Sequence, residues 1–252
     1  DVTEAVRVRQ SAQRRMEEER MRRDFEQQLI GIVSHDLRNP LGAILLGTQL
    51  LLRRTDLDSR AVQSAERIRG SAERAMRLVR DLLDFTQARL GGGLKLKRQP
   101  GDLHQVAREA VEELRAAYPE RELHLEPAGD ARGIWDADRF SQVVDNLVGN
   151  ALKYSPPDSP VRVRVEGGAH EVRMQVHNGG PPIDPEAMPR LFEPLQRGPH
   201  AADPQERSVG LGLYIVQHLV QAHGGDVTVR SGRDTGTRFT VSLPRVSRPT
   251  PR

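Results

Sequence analysis

Three consecutive glycines at 91–93 divide this sequence into two parts with different hydrophobic periods. Before them, apolar residues recur at the three- and four-residue intervals of helices; after them, short alternating runs typical of strands appear. Glycines are poor helix residues, so this run ends a helix and acts as a linker. The sequence therefore predicts a multidomain chain, with an α-helical part followed by an α/β part.

The part before the glycines predicts a helical hairpin. Residues 4–30 contain no Gly or Pro and follow an imperfect heptad, which favours a polar coiled coil. A helix over 30–53, a polar turn at 55–59 and a helix over 60–90 follow. The last helix carries two stripes with seven-residue spacing: Ala65, Ala72, Val79 and Thr86, and Ile68, Ala75 and Leu82. Two helices alone bury such stripes poorly, so we expect a homodimer with a four-helix bundle.

The part after the glycines predicts a sheet covered by helices. Helices are expected over about 102–117, 138–154 and 211–223, and an irregular stretch over 179–208. The predicted strands are LKLKRQP, ELHLEP, VRVRVEGG, EVRMQVHNGG, DVTVRSG and GTRFTVSLP. Neighbouring strands without a helix between them indicate an α/β sandwich with antiparallel pairs rather than a doubly wound parallel sheet.

Composition excludes several classes of function. The 252 residues include no cysteine, so disulfides, zinc–thiolate sites and cysteine nucleophiles are excluded. The 38 basic and 35 acidic residues are interspersed, without the basic stripe and aromatics typical of nucleic-acid binding. No apolar run approaches the roughly 20 residues of a membrane span, and no signal peptide opens the chain. We expect a cytoplasmic protein with no membrane segment in this chain and no nucleic-acid partner.

The stretch SHDLRNPL, residues 34–41, holds the first candidate for chemistry. On a helical wheel, His35 lies roughly 190° from the centre of the neighbouring apolar residues, so it faces solvent. Asn39 shares its face, Asp36 is adjacent, and Pro40 removes an N–H from the same turn. A neutral imidazole is a nucleophile at pH 7, and a carboxylate bound to one ring nitrogen leaves the other free to attack. The pattern favours a nucleophilic His35 over an idle surface histidine.

The stretch NLVGNALKYS, residues 146–155, holds the second candidate. Asn146, Asn150, Lys153 and Tyr154 fall on or beside the face opposite the apolar stripe. Asparagine is a poor residue inside helices, so two in line indicate more than a solvated surface. An amide oxygen suits Mg²⁺, an ammonium suits phosphate, and an aromatic ring suits a nucleobase.

Two glycine-rich stretches complete the candidate site. HNGGPPID, residues 177–184, is a turn leaving a strand, and SVGLGLYIVQHLV, residues 208–220, places two glycines before an apolar helix. Backbone N–H groups there can approach an anion at the start of the helix. GxxxxGK[ST] is missing, which excludes a P-loop, and the motif set of Ser/Thr/Tyr kinases is missing too.

Together these motifs resemble the bacterial two-component sensor histidine kinases, over about residues 20–245. SHDLRNPL resembles the H box, NLVGNALKYS the N box, NGGPPI a variant G1 box, LFEPLQRG the F box and GLGL the G2 box, while GTRFTVSLP is similar to the final strand motif. The resemblance implies a Bergerat-type ATP-binding fold for the α/β part. It also implies four segments: a signalling coiled coil over 1–25, a dimerisation and phosphotransfer domain over 26–92, a catalytic domain over 93–246 and a tail over 247–252.

The resemblance implies a role for each motif residue. His35 would accept the γ-phosphoryl group of ATP and pass it to an aspartate of a response regulator receiver domain. Asp36 would be its general base, and Asn39 would position water when the kinase acts as a phosphatase. Asn150 would bind Mg²⁺. The implied nucleotide-binding residues are Asn146, Asn150, Lys153, Tyr154, Asn178, Gly180, Ser208, Gly210, Leu211, Gly212, Leu213 and Thr237. The opening DVTE resembles the end of a PAS domain, which would place an upstream sensor domain before this chain.

The G1 box departs from the usual DxGxG pattern of the family. Asn178, Gly180 and Pro182 stand in its three motif positions, a form that resembles bacteriophytochrome-like kinases. An asparagine can pair with adenine, or with guanine after an amide flip, so base selectivity is expected to be weaker than with Asp. Ser208 also stands where the G2 box usually has Gly.

There are two alternatives to an active kinase, and the departure in the G1 box favours the first. The first is a degenerate kinase that serves as a dimeric scaffold or as a phosphatase only. The second, a gyrase-type ATP-hydrolysing clamp, disagrees with the H box and with Asn146, where gyrase-type enzymes carry Glu.

Overall fold

The computed structural model describes Gly31 and residues 35–89, 93–196 and 209–245. The predicted coiled coil before residue 26, Ser208 and the tail after residue 246 lie outside the described residues. The chain divides into two compact units, Asp1–Gly92 and Gly93–Arg252. Among the described helices, none combines the length and the apolar character that crossing a bilayer requires.

The first unit contains the predicted helical hairpin. Helix α1 is described over 35–52 and helix α2 spans Ser59–Arg89. Between them, the Asp58 carboxylate accepts a hydrogen bond from the Ala61 N–H at 2.7 Å, as a residue capping a helix N-terminus does. The hairpin prediction is therefore confirmed.

The two stripes of α2 have different surroundings within this hairpin. Ala65 and Ala72 are buried, whereas Ile68 and Leu82 of the second stripe are half exposed. Helix α1 likewise exposes large apolar side chains. The exposed apolar residues of the hairpin are Leu37, Ile44, Leu46, Leu50, Leu51, Ile68, Leu78 and Leu82. So many exposed large apolar side chains on one hairpin are typical of an interface with another protein.

The second unit is built on a five-stranded sheet with the order β2-β4-β5-β7-β6. Its strands are β2 (Leu123–Gly129), β4 (Val161–Gly167), β5 (Glu171–Asn178), β6 (Asp226–Gly232) and β7 (Gly236–Pro244). Pairs β4–β5, β5–β7 and β6–β7 are antiparallel as predicted, and β2–β4 is parallel because a helix intervenes between them. A separate antiparallel pair joins β1 (Gln99–Asp102) to β3 (Arg132–Trp135).

One strand prediction was wrong in position and one strand was missed. The predicted strand LKLKRQP has no regular structure over 93–98, and the ladder begins only at Gln99. The Lys97 N–H instead donates to the Asp136 carboxylate at 2.6 Å, which diverts the backbone from strand pairing. Strand β3, with the sequence RGIW, is too short to show an alternating pattern.

Among the described residues, three α-helices accompany the sheet: α3 (Leu103–Ala117), α4 (Ala137–Tyr154) and α5 (Gly212–Ala222). The predicted apolar stripe of α4 is buried throughout: Phe140, Val143, Val144, Leu147, Ala151 and Leu152. In β4, alternate valines are fully buried while Arg162 and Arg164 are exposed. The sheet therefore has one face in the core and one face in solvent.

A buried histidine joins the start of α4 to the end of α5. The Asp136 N–H donates to His223 Nε2 at 3.3 Å, and His223 Nδ1–H donates to the Leu219 carbonyl at 2.8 Å. One nitrogen accepts and the other donates, so the ring is neutral in this arrangement. Burial lowers the pKa of His223, and the charges of Arg98 and Arg139 lower it further.

This histidine makes the stability of the second unit dependent on pH. The folded state holds His223 with a lowered pKa, so below about pH 6.5 the unfolded state binds the proton first. We expect the free energy of unfolding to fall as pH drops from 6.5 towards the folded pKa, by at most about 1.4 kcal/mol per pH unit from this proton. Urea unfolding followed by the fluorescence of Trp135, the single tryptophan, measures it. His223→Gln should flatten the dependence relative to the wild type; an unchanged slope would contradict this origin.

Candidate functional site

In the first unit, His35 and its two polar neighbours lie on the solvent side of α1. The side chains of His35 and Asp36 are both 71% exposed. His35 Nδ1 lies 3.3 Å from Asp36 Oδ1 and 3.5 Å from Asn39 Nδ2. These contacts exclude each other in a neutral ring: Nδ1 donates to the carboxylate when protonated and accepts from the amide when it is not. The shorter contact favours protonated Nδ1, which leaves the lone pair on Nε2.

Pro40 lies inside the helix that carries His35. Residues 35–52 are helical throughout, so the proline does not end the helix. Because proline has no N–H, the Asp36 carbonyl lacks its normal helical donor at that position. The Asp36 carbonyl oxygen, next to His35 in sequence, is thereby left without the usual hydrogen bond from the N–H four residues later.

In the second unit, α4 holds the predicted asparagines in different surroundings. Asn146 Nδ2 donates to the Gln142 carbonyl at 3.0 Å, so this amide is fixed on its own helix. Asn150 is half-buried, and its side-chain amide makes no hydrogen bond with any other described residue. Lys153 Nζ lies 5.4 Å from the centroid of the Tyr154 ring, and that ring is partly exposed. The free amide and the adjacent cation stand together at the end of α4.

The glycines before α5 lie against the asparagine helix. A methyl group at Gly212 would lie 2.7 Å from Asn146 Oδ1, so a larger residue there would displace the Asn146 side chain. Gly210 has φ of 76°, and its carbonyl accepts a hydrogen bond from the Leu195 N–H at 2.9 Å. Leu211 is buried, Leu213 is half-buried, and no side chain of a described residue caps the start of α5. The first N–H groups of this helix are therefore open to an anion.

The other end of the site is a row of polar side chains on neighbouring strands. Asn178 is 5% exposed and stands directly opposite Thr237 in the β5–β7 pairing. Thr237 Oγ1 lies 2.7 Å from Ser231 Oγ, which also accepts from the Ile183 N–H at 2.9 Å. The motif analysis missed Ser231, whose connection to the site follows from strand register. This row links the G1 stretch to the final strand.

Gly180 connects this row to the end of α4. Its φ is 118°, a conformation that favours glycine, and a methyl group there would lie 2.8 Å from the Tyr154 carbonyl. The structure therefore brings the predicted residues of α4, the G1 stretch and the G2 stretch into one region of the second unit.

The polar groups in this region suit a nucleotide whose phosphates supply most of the ligands of a bound metal ion. The described residues contain no group of three or more His, Asp or Glu that could hold a metal ion by themselves. The available groups are neutral amide oxygens, an ammonium and open backbone N–H groups. Mg²⁺ commonly keeps only one or two protein ligands and takes the rest from substrate phosphates and water. The residues therefore fit Mg²⁺ bound together with a nucleotide.

Two family models match this chain. The model described as "His Kinase A (phospho-acceptor) domain" matches residues 25–91. The model described as "Histidine kinase-, DNA gyrase B-, and HSP90-like ATPase" matches residues 135–247. The first match includes His35, and the second includes α4, both glycine stretches and β7.

Known proteins with similar sequences and structures agree with these matches. The chain is 34% identical over 222 residues to a bacteriophytochrome of Pseudomonas aeruginosa, covering 87% of this chain and 30% of the relative. It is 37% identical over 218 residues to the probable sensor histidine kinase TcrY of Mycobacterium tuberculosis, covering 86% and 45%. The crystal structure of full-length ShkA in complex with AMPPNP is similar with a TM-score of 0.65 and 25% identity, covering 88% of this chain and 47% of ShkA.

The chain belongs to the two-component sensor histidine kinases and comprises a phospho-acceptor domain and an ATPase-type domain. The match to a bacteriophytochrome agrees with the resemblance of the variant G1 box. The chain spans less than half the length of the two curated relatives.

Proposed function

We propose that the chain is an active ATP-dependent histidine kinase that phosphorylates itself on His35. The observation that carries the proposal is the exposed His35 with Nδ1 beside the Asp36 carboxylate. In the proposed step, the Nε2 lone pair forms a bond to the γ-phosphorus while the bond to the β–γ bridging oxygen breaks and ADP leaves. Asp36, as general base, takes up the Nδ1 proton of the imidazolium that forms. The phosphoryl group then passes to an aspartate of a response regulator receiver domain.

Asn39 has a separate proposed role in the dephosphorylation of the response regulator. Its amide lies one helical turn from His35 on the same exposed face, where a regulator would bind. An amide there can hold a water molecule for hydrolysis of the regulator's aspartyl phosphate. This role would make the chain a phosphatase as well as a kinase.

The region between α4 and the two glycine stretches is the proposed site for ATP and Mg²⁺. Mg²⁺ neutralises phosphate charge when it is bound with the nucleotide. Asn150 would supply an amide oxygen to Mg²⁺ and Lys153 would contact a phosphate, while Asn146 would support Asn150. The N–H groups around Gly210 and Gly212 would contact phosphate oxygens, together with Ser208, Leu211 and Leu213. Tyr154, Asn178, Gly180 and Thr237 would form the adenine end.

The exposed apolar surface of the hairpin supports a homodimer. Residues such as Leu46, Ile68 and Leu82 are exposed in one hairpin and would be buried in a four-helix bundle of two. The proposed organisation keeps the boundaries 1–25, 26–92, 93–246 and 247–252, with a sensor domain upstream. We place the protein in the cytoplasm, where ATP and response regulators are found.

The test of the proposed function is incubation of the full chain with γ-labelled ATP and Mg²⁺. An active kinase gives label that is stable in base and labile in acid, as expected for a phosphoryl group on histidine nitrogen. Label that survives acid would contradict transfer to histidine. A folded chain that binds ATP but acquires no label would instead favour the scaffold or phosphatase interpretation.

The surroundings of Asn178 lead us to expect preference for ATP over GTP by about tenfold or more. Asn178 Nδ2 donates to the Gly179 carbonyl at 2.6 Å, so Oδ1 remains available as an acceptor. If the amide were flipped, Asn178 Oδ1 would face the Gly179 carbonyl oxygen, and the two acceptors would repel each other. An acceptor there pairs with the amino group of adenine but repels the carbonyl of guanine. This expectation differs from the weak selectivity that the G1 motif alone indicates.

Competition of ATP and GTP for the site measures this preference. Asn178→Asp keeps an acceptor and should retain the preference for ATP, whereas Asn178→Ala should bind both nucleotides weakly and with similar affinity. Equal binding of ATP and GTP by the wild type would show that the amide is not held in this orientation.

A further inference from the structure

Arg121 lies in the turn between α3 and β2, and its guanidinium contacts the end of α4. Nη1 donates to the Leu152 carbonyl at 2.6 Å. Nη2 donates to Ser155 Oγ at 2.6 Å and to the Pro156 carbonyl at 3.2 Å. One side chain thus bonds three acceptors within five residues of α4 and the segment that follows it.

The end of α4 needs such donors because the last four carbonyls of a helix lack intrahelical partners. The Ser155 N–H satisfies the Ala151 carbonyl, and Arg121 satisfies the next one. A positive charge at a helix C-terminus is also favourable. Arg121 therefore holds the last turn of α4, which carries Lys153 and Tyr154.

The segment that Arg121 holds is in close contact with the G1 stretch. A methyl group at Gly180 would lie 2.8 Å from the Tyr154 carbonyl and 3.3 Å from Pro156 Cδ. A methyl group at Gly179 would similarly lie 2.5 Å from Ser159 Oγ. The backbone at 154–156 therefore packs directly against Gly180, so a displacement of 154–156 would be passed on to Gly180 and to the nearby Asn178.

We infer that Arg121 is a positioning residue for the adenine end of the nucleotide site, an inference that rests on the proposed ATP binding. It acts through the end of α4 and the G1 stretch rather than by contact with the nucleotide. Arg121 Nε is buried and has no hydrogen-bond partner among the described residues. A buried N–H without a partner is unfavourable. The three hydrogen bonds of Nη1 and Nη2 therefore determine how the side chain is oriented. Arg121 belongs to none of the motifs that identify the site.

Arg115 offers a matched control in the same unit. Its Nε and Nη2 both donate to the Leu123 carbonyl, at 3.0 and 2.6 Å. Arg115→Ala therefore removes comparable arginine–carbonyl bonds, neither of which involves α4 or its C-terminal segment. Trp135 fluorescence reports whether each variant is folded at the assay temperature.

The experiment compares ATP-dependent autophosphorylation of the full chain in the wild type, Arg121→Ala, Arg121→Lys and Arg115→Ala. We expect Arg121→Ala to raise the KM for ATP about tenfold while kcat changes less than about threefold. Lysine keeps the charge but not the planar fork, so Arg121→Lys should raise KM about threefold. Arg115→Ala should keep KM within about twofold of the wild type.

Equal shifts in Arg121→Ala and Arg115→Ala would overturn the inference, because a general loss of stability would then explain both. A KM like that of the wild type in Arg121→Ala would also overturn it. If Arg121→Ala does not fold, Arg121→Lys provides the test. A rise of about threefold in its KM for ATP would support the inference, and a KM like that of the wild type would overturn it. Failure of the wild type to bind ATP would instead overturn the proposed function and this inference together.

Discussion

Replacing His35 with glutamine is expected to lower autophosphorylation by about a thousandfold or more, to background. Glutamine keeps a polar side chain of similar reach on the exposed face of α1, but its amide has no nucleophilic nitrogen. The proposed ATP site lies in the other compact unit of the chain, so nucleotide affinity should change little. Quantifying acid-labile, base-stable label from γ-labelled ATP measures the loss, and nucleotide binding is measured on the same sample.

His124 provides a matched control for this substitution. It is another partly exposed histidine beside a carboxylate, with Nε2 2.7 Å from Glu122 Oε1 on the second unit. His124→Gln should keep wild-type labelling, which would show that a surface histidine–carboxylate pair does not become phosphorylated by itself. Label remaining on the His35 variant would contradict the assignment of His35 as the nucleophile.

Strongly periodic segments were predictable because burial dictates their residues. All six apolar residues assigned to the stripe of α4 are buried, and β6 and β7 begin and end where the alternating pattern predicts. The helical hairpin followed from two helical stretches joined by the polar turn at 55–59. The family comparisons confirm the resemblance that the ordered motifs indicated.

Features that depend on long-range contacts were not predictable in this way. The segment before β1 departs from a strand because one N–H finds the carboxylate of Asp136, 39 residues along the chain. Ser231 joins the candidate site through pairing with β7, and Arg121 through a guanidinium that reaches a helix end 31 residues later. Neither residue shows a local pattern, because its importance depends on what the fold places beside it.

The orientation of one amide shows how structure changes the interpretation of a motif. Sequence alone leaves Asn178 free to present either its oxygen or its nitrogen to a base. The neighbouring Gly179 carbonyl engages the nitrogen, which favours presentation of the oxygen. In the proposed site, Asn178 would therefore offer an acceptor where the family motif places the Asp carboxylate.

Asn150→Ala is expected to weaken binding of Mg²⁺·ATP by about a hundredfold, or about 2.7 kcal/mol. The Asn150 amide makes no hydrogen bond within the described part of the chain, so its removal leaves no protein group without a partner. The loss should therefore appear in nucleotide binding and not in the free energy of unfolding. Titration calorimetry with ATP in the presence of Mg²⁺, and again with EDTA, separates the contribution of the metal.

A metal ligand and a direct nucleotide contact predict different results in that titration. If Asn150 acts through Mg²⁺, the deficit of Asn150→Ala should shrink to less than about tenfold in EDTA, where wild-type binding is already weak. Gly149→Ala is the matched control, since a methyl group there meets no atom within 4 Å and the substitution favours the helix. It should bind Mg²⁺·ATP as the wild type does. An equal deficit with and without Mg²⁺ would reject Asn150 as a metal ligand, because the lost interaction would then be with the nucleotide itself.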